Sequence, residues 1–479
     1  MNKLPRIMIA GTNSGVGKTT VTLGIMSALV QKGIEVQGFK AGPDYIDPSH
    51  HKFVTGNASR NLDTWMMGDS ACREIFERSA VTADISVIEG VMGLYDGSVD
   101  STGHGMTASD LAQAGSSAHL SKVLKTPVIL VISAKGIAQS AGAVVIGYRE
   151  FDKDINLSGI IVNNVSSRSH YDCIKRSIED TCSVPVLGYL NKDKEITISE
   201  RHLGLVLSEE NSCHSVLYEG LGKMALETID IDGLLGVARS AVAFPDYYKS
   251  IFLDGNGTVN VNLAIAKDNA FCFYYQDDID LFESMGARIR YFSPLKDRQL
   301  PDDIDGIILG GGFPELNAEK LMENESMKKS ILEAHKQGTV IYGECGGMMY
   351  LLERLIDCDG RSFKMCGILM GSARMENRRQ GLGYIIAEAT CDNVICKRGD
   401  TFRAHEFHWS KLLDVPENTI FSYKTRKSNG KESGYDGICK KNVLASYTHV
   451  HFSSNPELAK NLLLSMEKGS KNRKIKIWI

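Results

Sequence analysis

Five residues, Gly343-Glu344-Cys345-Gly346-Gly347, constrain the fold of this chain more than any others. They follow the apolar run Thr339-Val340-Ile341-Tyr342 and precede the helical pattern Met348-Met349-Tyr350-Leu351-Leu352. A strand that turns into a helix through a glycine-flanked residue lifts one side chain over the sheet and leaves backbone N–H groups around it to hold an oxyanion. Here the lifted group is the Cys345 thiol, which reads as a nucleophile. A cysteine without context is usually a small buried apolar residue. This context, and a distant histidine motif, reverse that expectation.

A length of 479 residues predicts two or more domains. A hydrophobic fraction of 43% and a charged fraction of 23% are ordinary for a globular protein. A net charge of -4 gives no reason to expect nucleic acid as a partner. The 11 cysteines include no C-x-x-C pair, which argues against a zinc site or a disulfide framework and for a reducing compartment. Met1 to Arg6 lead straight into an apolar strand with no cleavable signal pattern, and no apolar run approaches the roughly 18 residues needed to cross a bilayer. The expectation is a cytoplasmic protein with neither membrane nor nucleic-acid partners.

The amino-terminal part reads as α/β. Ile7 to Ala10 form a strand, Gly11 to Thr20 a loop and Val21 to Lys32 a helix. Thr12, Asn13, Ser14, Gly15, Val16, Gly17, Lys18, Thr19 and Thr20 make a phosphate-binding loop. Its N–H groups face phosphate oxygens, Lys18 reaches the β/γ-phosphates of ATP, and the Thr19 hydroxyl takes Mg²⁺. The usual motif has glycine where Thr12 stands, and Gly11 lies one place earlier. A second strand, Val36 to Phe39, ends in Lys40-Ala41-Gly42-Pro43-Asp44-Tyr45-Ile46-Asp47-Pro48, which places Lys40 toward phosphate and Asp44 toward metal. Asp47-Pro48 reads equally as a turn or a substrate contact, and His50 and His51 as surface or substrate-contact residues. A third strand ends at Glu89, suited to Mg²⁺ opposite Thr19. Asn163-Asn164, at another strand end, could read an adenine edge or cap a turn. The alternation predicts a doubly wound parallel sheet.

Periodicity lapses between Asp230 and Asn260, where Phe244-Pro245-Asp246 and Asp254-Gly255-Asn256-Gly257 supply turn signals. The expected division is a synthetase domain at 1–235, a linker at 236–260, a second α/β domain at 261–460 and a basic tail at 461–479, read as a solvated end. In the second domain Gly310-Gly311-Gly312-Phe313-Pro314-Glu315 follows a strand, so Gly311 and Gly312, with Gly346, are the expected oxyanion donors. The base for Cys345 is sought in Tyr447-Thr448-His449-Val450-His451-Phe452, where alternation puts both histidines on one face and does not choose between them. His405 and His408 are a weaker source. A nucleotide site and a thiol hydrolase in one chain suggest an ATP-activated carboxylate amidated by ammonia released from glutamine.

These motifs, Gly-Thr-x-Ser-x-Val-Gly-Lys-Thr-Thr at 11–20, Phe-Lys-x-Gly-Pro-Asp-Tyr-Ile-Asp-Pro at 39–48, Gly-Gly-Gly-Phe-Pro-Glu at 310–315, Glu-Cys-Gly-Gly at 344–347 and Tyr-Thr-His-x-His-Phe at 447–452, occur in one order to about Pro456. Together they resemble the cobyrinic acid a,c-diamide synthase family. The resemblance implies a dethiobiotin-synthetase-like ATP and tetrapyrrole domain followed by a class I glutamine amidotransferase domain. It also implies amidation of the a and c carboxylates of cobyrinic acid with ATP, Mg²⁺ and L-glutamine or ammonia, in the anaerobic cobalamin route. Cys345 is then the nucleophile and His449 its base, while Asp44, Tyr45 and Ile46, with Asp47 and His50 beside them, fall on the substrate and metal loop. Ordinary class I enzymes carry a glutamate two residues after the histidine. His451 holds that place here, which favours a Cys-His dyad. Nickel-sirohydrochlorin a,c-diamide synthase resembles the same pattern, with cobyric acid synthase ranking behind it. A partitioning or regulatory P-loop ATPase, the reading of another class, would carry a lysine where Asn13 stands and no glutaminase domain.

Overall fold

Ile7, Met8 and Ile9 are apolar in succession, so both faces of their strand must be covered, as in a parallel sheet between helix layers. In the computed structural model, β1 (Arg6–Gly11) is buried along its whole length. β2 (Val36–Ala41), β3 (Arg60–Leu62), β4 (Ile85–Glu89), β5 (Val128–Ser133), β6 (Leu157–Val165) and β7 (Val186–Asn191) join it in the order β3-β2-β4-β1-β5-β6-β7, all parallel. The structure describes residues 3–98, 114–191, 200–201, 204–205, 214–244, 250–252 and 259–477. β2 and β4 lie to one side of β1 and β5 to the other, and such a reversal opens a ligand crevice at the carboxyl ends of the strands. Register aligns Glu89 with Lys40 of β2 and with Ile9 of β1. The loops that follow these three strands therefore start at one level.

The chain divides into two compact units, Met1–Lys249 and Ser250–Ile479. The linker expected from residue 236 starts too early. Helix Ile231–Arg239 buries Leu234 and Ala238 in the first unit's core, and Phe244 packs 4.3 Å from the Arg6 guanidinium. Arg6 is itself buried and donates to the Val242 carbonyl at 2.6 Å, so these residues hold the amino-terminal strand. Pro245-Asp246 and Asp254 to Gly257 lie outside the described residues.

The second unit is built on a ten-stranded sheet. Ala287–Phe292, Val261–Ala266, Gly306–Leu309, Val340–Glu344 and Val443–Ser446 run parallel in that order, and an antiparallel half follows. Val443–Ser446 stands fifth in the sheet and Thr448–His449 tenth, although one residue separates them in sequence. The antiparallel half must curl back on itself, and in doing so it delivers Thr401–His408 to the segment carrying His449.

The basic tail is not a solvated end through its described length. Pro456–Ile477 is one helix whose Leu462, Leu463 and Met466 are fully buried, and the Met466 sulfur lies 2.2 Å from where a Cβ on Gly306 would stand. The basic residues share that helix with an apolar stripe, which a count of charges hides. Leu463→Ala is expected to destabilise the protein by about 2–5 kcal/mol in denaturant unfolding, the range for a buried leucine truncated to alanine. Among the described residues no helix is long and apolar enough to cross a membrane.

Candidate functional site

In the first unit the loop after β1 exposes Asn13, Ser14 and Gly15, and helix Lys18–Gln31 begins after Gly17, whose φ of 96° suits glycine. The Lys18 ammonium donates to the carbonyls of Asn13, at 3.3 Å, and Met92. Burial, then the charge of Lys40, lowers the Lys18 pKa from the usual lysine value. The Thr19 hydroxyl donates to Glu89 Oε1 at 2.6 Å, so these two predicted metal residues meet. Thr12 donates its N–H to Val131 and accepts from the Tyr148 hydroxyl, which fixes the loop's start.

Lys40 sits between two carboxylates, bonded to Asp47 and 3.0 Å from Glu89 Oε1. Burial alone would lower Lys40, but Asp47 and Glu89 outweigh it and hold the ammonium above the ordinary lysine range. Burial would raise Glu89, yet Lys40 and a hydrogen bond from His51 pull it below the usual carboxylate range. Burial, then Asp44 and Glu89, push Asp47 up. Two carboxylates on one ammonium leave Asp47 the more easily protonated. Lys40, expected to meet phosphate, is engaged with these acids.

Other expected residues have partners of their own. Asp44 accepts from the Ile46 and Asp47 N–H groups at 2.7 and 3.0 Å, a local turn that shapes the loop. Tyr45 is partly exposed beside it and Ile46 is buried. His50, expected as a substrate contact, is fully buried and bonded to the Tyr218 hydroxyl, because helix Asp47–Thr55 turns it inward. Asn163, expected to read adenine, gives its amide to the Val16 carbonyl at 2.9 Å and so braces the phosphate loop. His51, which had no firm role, bonds Glu89 Oε2 at 2.8 Å and Ser59 at 3.1 Å. Its partner lies 38 residues away at a strand end, so no local spacing signals the pair.

In the second unit, Cys345 ends strand Val340–Glu344 and starts helix Gly346–Leu351 at φ 46°, ψ -101°, a strained conformation typical of functional turns. Its sulfur lies 3.9 Å from the Phe407 carbonyl, and the residue is 7% exposed. The expected oxyanion glycines come to the same place. A Cβ on Gly346 would stand 3.2 Å from the Gly312 nitrogen, and one on Gly311 would stand 3.0 Å from His449 Cε1. Side chains at either position would crowd the turn.

His449 faces Cys345, and its Nδ1 lies 3.5 Å from Glu344 Oε2. Burial alone would lower its pKa, but Cys345 and Glu344 beside it push it up to about 10, which favours an imidazolium beside the thiol. Such a pairing is what activates a cysteine nucleophile. His405 stacks on His449 with centroids 4.8 Å apart, and burial followed by the charge of His449 keeps it well below the usual histidine value. His408 stacks on Tyr447 at 3.8 Å and bonds the Ser410 carbonyl at 2.8 Å. His451 lies 3.2 Å from Asp278 and stacks on Tyr275. Of the four histidines, His449 is the one whose titration the thiol governs. His449→Ala is therefore expected to slow glutamine hydrolysis by about 10²–10⁴-fold, the span for removing a general base, with a much smaller effect for His451→Ala. Steady-state glutamate release checks the ranking, and the reverse order would reassign the base.

Comparison with known proteins gives both units relatives. Residues 7–206 match the family described as CobQ/CobB/MinD/ParA nucleotide binding domain, and residues 262–457 the CobB/CobQ-like glutamine amidotransferase domain. The chain is 40% identical over 461 residues to a cobyrinate a,c-diamide synthase of Dehalococcoides mccartyi, covering 96% of this chain and 97% of that one. It is 44% identical over 460 residues to the Listeria monocytogenes protein of that name, covering 95% and 97%. With its counterpart in Methanothermobacter thermautotrophicus it shares 40% over 458 residues, covering 95% and 98%. On this similarity across nearly the whole of each sequence, the chain belongs to the cobyrinate a,c-diamide synthase family of glutamine amidotransferases.

Proposed function

We propose that this chain amidates the a and c carboxylates of cobyrinic acid, with ATP as activator and glutamine as nitrogen source, in the anaerobic route to cobalamin. The observation that carries the reading is the pairing, in one chain, of a phosphate loop facing a buried acid cluster with a thiol–imidazole pair on a strained elbow. A free carboxylate is a poor electrophile at pH 7. Phosphoryl transfer from ATP makes it an acyl phosphate, and ammonia then displaces phosphate to leave the amide.

In the second unit the Cys345 sulfur attacks the glutamine side-chain amide, His449 passes its proton to the departing ammonia, and water clears the thioester. Gly311, Gly312 and Gly346 would hold the oxyanion. In the first unit the backbone of Thr12 to Thr20 would cradle the phosphates. Lys18 would leave the Asn13 and Met92 carbonyls to meet them.

Thr19 and Glu89 fit Mg²⁺, since a hydroxyl and a carboxylate 2.6 Å apart are hard oxygen donors and this ion uses few protein ligands beside phosphate and water. When bound, it would neutralise phosphate charge. Among the described residues no group of three or more His, Cys, Asp or Glu is placed to hold a metal alone. Asp44, Tyr45, Ile46 and Asp47 would meet the acceptor, and Asp44, whose Oδ1 shapes that loop, would also approach the metal.

Mass spectrometry of cobyrinic acid and, separately, nickel-sirohydrochlorin, each incubated with the protein, Mg-ATP and glutamine, tests the acceptor. Replacement of two OH groups by NH₂ on cobyrinic acid supports the proposal. Conversion of the nickel compound alone would move the protein to that pathway.

A further inference from the structure

A histidine that moves protons for a nucleophile needs its other ring nitrogen fixed, usually by a carboxylate that orients the ring and stabilises the imidazolium. The place two residues after His449 holds His451, which faces Asp278 and Tyr275. On His449 itself, Nδ1 lies 3.5 Å from Glu344 Oε2. Glu344 precedes the nucleophile, and its carboxylate is pinned on its other oxygen: Oε1 accepts from the Tyr342 hydroxyl at 2.6 Å and from the Val450 N–H at 3.1 Å. Its backbone is held by pairing with Ser446. Three constraints, from three segments, aim one buried carboxylate at one imidazole.

We infer that Glu344 is the positioning acid of the Cys345–His449 pair, so that the site is a triad whose acid sits on the nucleophile's own strand. The inference rests on the reading of this unit as a glutaminase. His449 holds the proton of the Cys345 thiol before attack and gives it to the departing ammonia, while Glu344 takes none. The other titratable groups facing His449 do not supply this function. His405 lies flat against its ring and burial keeps it neutral, and burial also lowers His408, whose Nδ1 is given to the Ser410 carbonyl.

Glu344→Gln keeps the shape and removes the charge, and Glu344→Asp keeps the charge on a shorter arm. Glutamate release by the full chain is measured across pH for the wild type and both variants, with ammonium-dependent amidation as a control for the first unit. For Glu344→Gln the expected result is a kcat for glutamine hydrolysis lower by about 10²-fold or more, with KM little changed. The imidazolium is lost as pH rises through its pKa, which Glu344 helps to raise, so the alkaline limb of the kcat profile should move to lower pH by about one unit. Glu344→Asp should recover part of the rate, and ammonium-dependent amidation should persist in both. Unchanged kcat in Glu344→Gln would overturn the inference. So would a loss shared equally by both variants with raised KM and an unmoved pH limb, which marks a structural residue. Absence of glutamate release by the wild type would instead overturn the glutaminase reading.

Discussion

Cys345→Ala is expected to abolish glutamine-dependent amidation, with a loss on the order of 10⁴-fold or more, as when a catalytic nucleophile is deleted from a site whose members act as one unit. Amidation supplied with ammonium salts should continue near the wild-type rate. The separation follows from placement. Cys345 is held at φ 46° by a strand and a short helix of the second unit, while the phosphate loop and its acid cluster are built entirely from the first. Removing one sulfur should delete the ammonia source and leave carboxylate activation in place. The cavity cost is small, because alanine lacks only that atom. Measuring product with glutamine and with ammonium chloride in parallel checks this, and equal loss with both donors would contradict separate sites.

Lys18→Ala should abolish amidation with either nitrogen donor, by an expected 10²–10³-fold, the scale for losing one preorganised charge at a phosphoryl-transfer centre. Lys18 is the cation at the start of helix Lys18–Gln31, held by the Asn13 and Met92 carbonyls. Lys40 cannot replace it, being occupied by Asp47 and Glu89. Glutaminase turnover in this variant should persist, which makes it the mirror image of Cys345→Ala. Retained ammonium-dependent amidation would count against the phosphate-loop assignment.

The two variants bear on parts of the protein that the sequence displays unequally. The phosphate loop and the cysteine elbow are legible because each is a contiguous strand–turn–helix whose glycines are dictated by local geometry. His449 needed a resemblance to choose it, since alternation puts His451 on the same face. The structure separates them by partner: Cys345 and Glu344 for one, Asp278 and Tyr275 for the other.

What stayed hidden is non-local. Glu344 reads as part of a motif around a cysteine, and only the parallel pairing of Val340–Glu344 with Val443–Ser446 brings it against His449. His405 reaches His449 because the antiparallel half of the sheet curls round, a consequence of strand order that no short window contains. Proximity to motifs suggests ligand roles for His50 and Asn163, but His50 lies on the inward face of its helix and Asn163 gives its amide to the loop backbone. The carboxy-terminal helix is masked in the sequence because its lysines and arginines outnumber the few buried apolar residues that anchor it.

The central claim is that nitrogen freed at Cys345 ends in a carboxamide made at the ATP site. Incubation with glutamine labelled with ¹⁵N in its side-chain amide, Mg-ATP and cobyrinic acid, followed by mass spectrometry of the product and assay of ADP, tests it directly. The account predicts ¹⁵N in every new amide and one ADP released per amide, with label replaced by unlabelled nitrogen when Cys345→Ala is supplied with unlabelled ammonium. Labelled glutamine consumed without label entering the corrinoid, or amides formed without ADP, would contradict it.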